Sequence, residues 1–533
     1  MEKQIAIILL TLSVQFALAQ EQPSLNRQAA LCYAKYEYAK AASIYERIAA
    51  RRKEKTTTVV LERLANSYRK MNRYGKSAEW YEQLLNRSDA PADARLYYGD
   101  MLKSQGKYAE AKAAYTQYAQ TSNQQDQVRN RIAGCDAATE WIQSPATVFI
   151  RGVDRLNTTY SDWGAIRYPG GVVFMTDSLL RDQLNDQSRF NRNRYFRTER
   201  GYYKLYLADT SNYGAVYIKD FSPTFNQSRY HVGPVVFSSD YNTAYVTMTY
   251  PERSVPDKIK EGRPPVKLGD RRLELYTSQK DGAGHWQPLA AFPYNNPTAY
   301  SLGDAALSTD GNTLYFVTDM PGGQGGTDIW YCDKQADGKW GAPVNCGPGI
   351  NTPEDEEFPT IAPDGSLFFC SKGWVGMGGF DIFHVTGSRS QWGTPENLRY
   401  PINSPADDFY FVAVANGDTY FASNRPGGKG SDDIYAVTTP ETYTVRNVPL
   451  LVIPFIGTVC PQLSNACIYI YNRQRAIGWC FIGEPNREIN LMLEKETDYV
   501  IRITYPGQRR DSIEFNTHGM QPPATLRMPI CTK

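Results

Sequence analysis

Three glycine-rich stretches constrain the fold of this 533-residue chain more than any other feature. They are PGGQGGTDIWY (321 to 331), VGMGGFDIFHV (375 to 385) and PGGKGSDDIYAV (426 to 437), and they set Asp328, Asp381 and Asp433 at intervals of 53 and 52 residues. A strand pair around a tight turn precedes each: LSTDGNTLYFVTD, IAPDGSLFFCSK and VAVANGDTYFASN. A Trp hairpin follows the first two, DGKWGAPVN with Trp340 and RSQWGTPEN with Trp392. Each unit reads as about four short strands, too few to bury their own faces, so the units must pack on one another. A phosphate loop would need a helix after the glycines, whereas these run into strands. A catalytic loop also has no reason to recur three times. Gly326, Asp328, Gly379, Asp381 and Asp433 therefore read as structural turn residues, glycine supplying positive φ and Asp bonding nearby amides.

Two looser units precede these, DWGAIRYPGGVVFMTDS through YYKLYLADTSNYGAVYIKDF and GPVVFSSDYNTAYVTMTY through RRLELYTSQKDGAGHWQPLAAF, each with an insertion (179 to 200 and 251 to 270). The last unit, ending near Thr439, lacks its Trp hairpin. The isolated strand ATVFIRGVDRLN (146 to 157) can supply the missing outer strand and close the ring without free edges. The prediction is a five-bladed β-propeller over 146–445, with six blades as the alternative. The units resemble the WD40-like repeats of TolB-type periplasmic proteins through APDGSLFF, SNRPGG and the Gly-Gly-x-Asp-Ile-aromatic element.

Between 24 and 143 the periodicity is helical. LANSYRKMNRYGKSAEWYEQLL places Leu64, Ala65, Tyr68, Asn72, Tyr74, Ser77 and Tyr81; thirty-four residues on, Tyr98, Gly99, Leu102, Gly106, Tyr108, Ala111 and Tyr115 follow in the same order. Tyr38, Ala41 and Tyr45 form a looser earlier copy, and NQQDQVRNRIAGCDAATEWI reads as a capping helix. This resembles the tetratricopeptide repeat, in which small residues let paired helices approach while aromatics fill the space between hairpins. The resemblance implies a concave protein-binding face, here Asn66, Arg69, Lys70, Asp100 and Lys103; a solvated helix face is the competing reading of each.

Residues 1–19 read as a secretory signal peptide, with an apolar run and Ala17-Leu18-Ala19 before Gln20. No segment of the mature chain has the ~18 apolar residues that span a bilayer. From 446 to 533 alternating strands predict a small β-sandwich of about seven strands, resembling the carboxypeptidase regulatory-type domain. Export implies conditions in which disulfides persist. Cys332 and Cys346 flank a turn and read as a candidate bridge, while the pairing of Cys460, Cys467, Cys480 and Cys531 stays open. Four scattered histidines and no CxxC pair argue for no metal and no cofactor. Lys plus Arg (58) against Asp plus Glu (56) gives no field for nucleic acid.

The candidate carboxylates for glycoside hydrolysis, Glu354-Asp355-Glu356-Glu357 and Asp407-Asp408, sit at equivalent positions in successive units, which favours structure over catalysis. The fold class is thus multidomain α + β: helical repeats, a propeller and a small sandwich. This order resembles the PorE-like periplasmic proteins of Bacteroidetes, associated with type IX secretion. The resemblance implies a noncatalytic periplasmic scaffold at the outer membrane with envelope proteins as partners. Those relatives continue into an OmpA-like domain that holds peptidoglycan, which this sequence lacks, so contact with peptidoglycan is a weaker reading through the sandwich. The alternative is a propeller glycan-binding protein or glycoside hydrolase.

Overall fold

The computed structural model describes residues 23–146, 148–178, 195, 197–209, 217–249, 271–414, 419–438, and 452–531 apart from 464–465, 474–477, 487, 495–496, 506–509 and 521–525. The expected signal peptide and nearly all of both insertions lie outside the described residues. The chain divides into two compact units, Met1–Ala94 with Phe196–Glu199, and Arg95–Tyr195 with Arg200–Lys533.

In the smaller unit α1 (Leu25–Ala34), α2 (Tyr38–Arg52), α3 (Thr58–Arg69) and α4 (Tyr74–Leu85) pack consecutively. Their apolar stripes merge in one core of Ala29, Ala41, Tyr45, Ile48, Leu64 and Tyr68. Where α3 and α4 touch, the Ser77 hydroxyl donates to the Ala65 carbonyl at 2.9 Å. The turns after α1 and α3 place Tyr36 and Asn72 at φ 58° and 54°, the region Gly106 takes at 74° one hairpin later.

The larger unit starts within α5 (Asp93–Lys103) and continues through α6 (Tyr108–Ser122) and α7 (Gln125–Gln143) into β-structure. Gly99 meets Tyr115 there so closely that a Cβ would come within 2.6 Å of its ring. Five four-stranded antiparallel sheets follow. Their strands are Asp162–Tyr168, Gly171–Thr176, Lys204–Asp209 and Tyr217–Asp220 in the first, and Val232–Phe237, Thr243–Thr249, Leu273–Gln279 and Ala290–Ala291 in the second. The third holds Leu302–Leu307, Thr313–Thr318, Asp328–Asp333 and Val344–Asn345, and the fourth Glu356–Ile361, Leu367–Ser371, Asp381–Val385 and Glu396–Asn397. In the fifth, Asp408–Val412, Thr419–Ser423 and Asp433–Thr438 are completed by Phe149–Gly152 from before the first sheet. The first strands of successive sheets touch in a cycle that runs from the fifth back to the first.

Two devices recur in all five sheets. Each first strand carries a bulge, with positive φ at Gly164, Gly233, Asp304, Phe358 and Tyr410. Each third strand is also held by an asparagine whose amide bonds both backbone groups of one residue. Asn226 holds Leu205, Asn295 holds Leu275, Asn351 holds Ile329, Asn403 holds Ile382 and Asn157 holds Ile434, at 2.7 to 3.0 Å. The fifth sheet thus takes both its last strand and its asparagine from the N-terminal side.

The fifth sheet continues at Ile150 opposite Gly478 into Gly478–Ile482, Cys467–Asn472, Asp498–Thr504 and Arg510–Asn516. A three-stranded sheet of Glu488–Glu494, Val452–Val459 and Leu526–Ile530 completes seven C-terminal strands. One core joins α6, α7 and these strands through Tyr115, Ile142, Met377, Tyr400, Phe455 and Ile501. Cys460 and Cys531 form a disulfide. The expected Cys332–Cys346 bridge is absent, and both are buried free thiols. The reason is register: Trp330 lies opposite Asn345, so the two cysteines are offset along the ladder and point to opposite faces, Cys332 among Leu314 and Phe316, Cys346 among Tyr315 and Ile350.

Removing the amide in Asn403→Ala or Asn157→Ala orphans a buried N–H and a buried C=O, and each variant should lose about 2–4 kcal/mol in denaturant unfolding. An unchanged midpoint for Asn157→Ala would mean that the fifth sheet does not depend on the N-terminal segment.

Candidate functional site

The glycine-rich loops join neighbouring sheets. Asp328 Oδ2 accepts from the Gln324 amide, Asp381 Oδ2 from the Gly378 amide at 2.9 Å and Asp433 Oδ2 from the Gly430 amide at 3.1 Å. The loop wraps each carboxylate so tightly that a Cβ on Gly323, Gly376 or Gly428 would fall 2.0 to 2.2 Å from it. The next glycines face the lead-in turn of the following sheet: Gly325 against Thr352 O, Gly378 against Ala406 O, and Gly430 against Tyr160 O. Gly326 N donates to Glu354 O at 2.9 Å, Gly379 N to Ala406 O at 3.2 Å and Ser431 N to Tyr160 O at 2.7 Å. The third of these contacts joins the fifth sheet to the first.

The acidic lead-in residues serve the same joints. Glu356 accepts from the Thr352 amide and hydroxyl at 2.6 and 2.7 Å and from the Ser371 hydroxyl. Asp408 is held by Ser404 in the same way and by Arg425 at 2.5 Å, and Asp162 accepts from the amide and hydroxyl of Thr158. Asp407 Oδ1 accepts from the Phe380 amide at 2.9 Å. The sequence signal for this device is Asn-Thr/Ser followed four residues after the hydroxyl residue by Glu or Asp, present as Asn351-Thr352, Asn403-Ser404 and Asn157-Thr158; the reading from glycines alone misses it.

Inside the cycle the bulged strands bring aromatic rings together. Trp163 lies 5.5 Å from Phe358, 5.5 Å from Phe409 and 5.9 Å from Tyr410. Asp304 stands near Tyr410, and its amide donates to Thr247 Oγ1 at 2.7 Å. Burial, and then the charge of Glu357, push the Asp304 carboxyl up to about 7. Burial also raises Glu357 against the opposing pull of Lys372. Glu357 Oε1 accepts from the Thr327 hydroxyl at 3.2 Å.

The predicted helical binding residues fare differently. In the smaller unit Asn66 Oδ1 accepts from Arg69 and from the Tyr81 hydroxyl, and the Lys70 carbonyl accepts from Arg197. Asp100 and Lys103, expected to face a partner, are used inside the chain. Asp100 accepts from Tyr115 at 2.8 Å and from Arg131 at 3.1 Å, and Arg131 reaches on to Glu354 at 2.9 Å. Lys103 is 6% exposed; burial pushes its ammonium down while Asp381 opposes. Asn130 donates to the Gly373 carbonyl at 2.7 Å, and Gly134 lies against the Gly376 carbonyl. The helices α5 to α7 therefore rest on the fourth sheet's glycine-rich loop, the contact that repeat periodicity could not anticipate.

No protein-family model matches the chain, and no curated protein matches it. Solved structures similar to it include an α-L-arabinofuranosidase of Podospora anserina in complex with cellotriose, at 13% identity and a TM-score of 0.31, covering 55% of this chain and 95% of that one. A protein of unknown function from Dyadobacter fermentans is similar at 10% identity and a TM-score of 0.31, over 68% of this chain and 98% of that one. A puromycin hydrolase is similar at 14% identity and a TM-score of 0.29, over 70% of this chain but under half, 46%, of its own. At such scores none of them assigns an activity to this chain.

A Cβ at Gly134 would fall 2.2 Å from the Gly376 carbonyl, so Gly134→Ala should loosen α7 from the sheet and speed proteolysis within 125–143. Burial holds Glu356, Asp381 and Asp433 at about 7, so the folded chain binds more protons than the unfolded one between about pH 4 and 7. Stability should accordingly fall as pH rises through that window, with a lower melting temperature at pH 8 than at pH 5. Glu356→Gln should flatten this slope; a wild-type melting temperature that rises from pH 5 to pH 8 would contradict the assignment.

Proposed function

We propose that the chain is a noncatalytic scaffold of the periplasm, associated with the outer membrane and linked to type IX secretion or gliding machinery. In this reading the cycle of five sheets is a five-bladed propeller, the helices are tetratricopeptide hairpins, and their outer surfaces hold envelope proteins. The observation that carries it is how the carboxylates are used. Glu356, Asp408 and Asp162 are each tied to an amide and a hydroxyl four residues earlier, and Asp328 and Asp381 clamp their own glycine loops. Side chains committed to sheet-to-sheet joints are not free to move protons for a substrate. Location and partners follow from the resemblance to PorE-like proteins and are tested by crosslinking native envelopes and identifying what co-purifies with the chain; recovery of no envelope protein would refute the scaffold.

A second reading, a propeller glycan-binding protein or glycoside hydrolase, is favoured by one observation: two carboxyls stand on adjacent bulged strands, Asp304 beside Tyr410 and Glu357, whose charge acts on Asp304. Hydrolysis needs such a pair with different proton affinities. Aryl-glycoside turnover that is lost in both Asp304→Asn and Glu357→Gln would establish this reading; no turnover by the wild-type chain on a broad glycoside panel dismisses the hydrolase.

A further inference from the structure

One piece of the smaller unit is not helical. Phe196–Glu199 packs with the helices, and Arg197 comes to them from 127 residues beyond Lys70. Tyr195 and Arg200 bridge the two ends of this tip, the Tyr195 amide donating to the Arg200 carbonyl at 2.7 Å. Arg197 then makes two contacts of opposite polarity. Its carbonyl accepts from the Ala39 amide at 3.3 Å, and its Nε donates to the Lys70 carbonyl at 3.1 Å. Ala39 stands in the first turn of α2, where amides lack a helical acceptor, and Lys70 follows α3, where carbonyls lack a helical donor. Glu37 gives α2 no side-chain cap. The guanidinium lies 5.9 Å over the Tyr38 ring, which Tyr33 and Tyr36 flank at 5.6 and 6.0 Å. One arginine therefore answers a helix start, a helix end and a ring face at once.

The hold is light. A 3.3 Å amide contact is longer than an ordinary N–H···O bond, and 5.9 Å is the outer reach of a cation over a ring. Arg69 also bears on Tyr38, so Arg197 is received beside another cation. The tip carries costs of its own: Glu199 takes φ 61°, and the Thr198 hydroxyl oxygen is buried with no hydrogen-bond partner among the described residues. Nor does the tip cover the apolar surface beside it, since Tyr36 stays 50% exposed and Leu31, in the last turn of α1, 49%. A segment that set an arginine in the same place and laid an apolar side chain on Tyr36 and Leu31 would bury more surface without that strain.

We propose that this corner of the helical unit is a docking site for an arginine-bearing loop of a partner protein, and that the tip 197–199 is its built-in occupant, displaced when the partner docks. That the partner is an envelope protein rests on the scaffold reading; the site and its occupant do not. An occupant tethered within the same chain competes at an effective concentration on the order of millimolar, so a segment that also covers Tyr36 and Leu31 is what displaces it.

The test is fluorescence anisotropy of a labelled cyclic peptide of residues 195–200, titrated with the full chain. Arg197→Ala, whose site is no longer filled, should bind it about tenfold more tightly than wild type. Arg197→Lys keeps the charge but loses the Nε set against Lys70; it should fall between the two, and it carries the test if melting curves show Arg197→Ala unfolded. A peptide bearing the same Arg197→Ala change should bind none of these chains. Equal binding by wild type and both variants, no binding by either variant, or equal binding of the two peptides would overturn the proposal. In native envelopes, Arg197→Ala should recover more crosslinked partner than wild type. Equal recovery by the two would overturn docking of the partner at this site while sparing the scaffold. Peptide binding as expected, with no envelope partner for either chain, would refute the scaffold while sparing the site and its occupant.

Discussion

The larger unit depends on the joint between each glycine-rich loop and the lead-in turn of the next sheet. The joint forms because glycine lets two backbones approach to distances that any Cβ would forbid, as Gly378 does at Ala406 and Gly430 at Tyr160. Close approach alone would bury unpaired polar groups, and the structure satisfies them locally. Asp381 caps amides of its own loop, Asn403 bonds both backbone groups of Ile382, and Ser404 fills the oxygens of Asp408. The third, fourth and fifth sheets are thereby each fixed to the next by polar contacts at one end, with packed aromatics such as Phe358 and Phe409 at the bulged strands. Closure uses the same chemistry with residues from opposite ends of the sheet region, Asn157 and Tyr160 against Ile434 and Gly430.

These joints also explain how the helices and the C-terminal strands are held. Arg131 spans from Asp100 to Glu354, part of the acidic run that leads into the fourth sheet, and Gly134 repeats the glycine-to-carbonyl approach against Gly376. At the other side, the strand that completes the fifth sheet presents its second edge to Gly478, so one ladder runs on into the C-terminal strands. Edges that would otherwise be open are consumed by neighbouring parts of the chain. The same economy decides the fate of two helical residues read as a binding face, since Asp100 meets Tyr115 and Arg131 and Lys103 lies near Asp381 of its own chain.

Much of this was legible in the sequence. The 52–53-residue spacing of Asp328, Asp381 and Asp433 fixes the units, and the strand around Ile150 was recognisable as the missing one because the last unit lacks its hairpin. The thirty-four-residue spacing of Gly99 and Ala65, and of Tyr115 and Tyr81, likewise gives the helix pairs, because side-chain periodicity is local and survives in the sequence. The positive φ of Asp304, Phe358 and Tyr410 was not legible, since none is a residue type that announces it; the bulge is imposed by the neighbouring strands. Nor was the separation of Cys332 from Cys346, which only a three-residue change of register would have set opposite each other.

The sequence by itself therefore determined the repeating units, their strands and helices and the turn chemistry, all of which depend on residues close along the chain. Only the tertiary structure decided that Lys103 and Arg131 are spent within the chain, that Trp163 meets Phe358, Phe409 and Tyr410, and that the charge of Glu357 reaches Asp304. Those facts depend on residues up to hundreds of positions apart, brought together by closure of the cycle, and no local pattern encodes the distance between them.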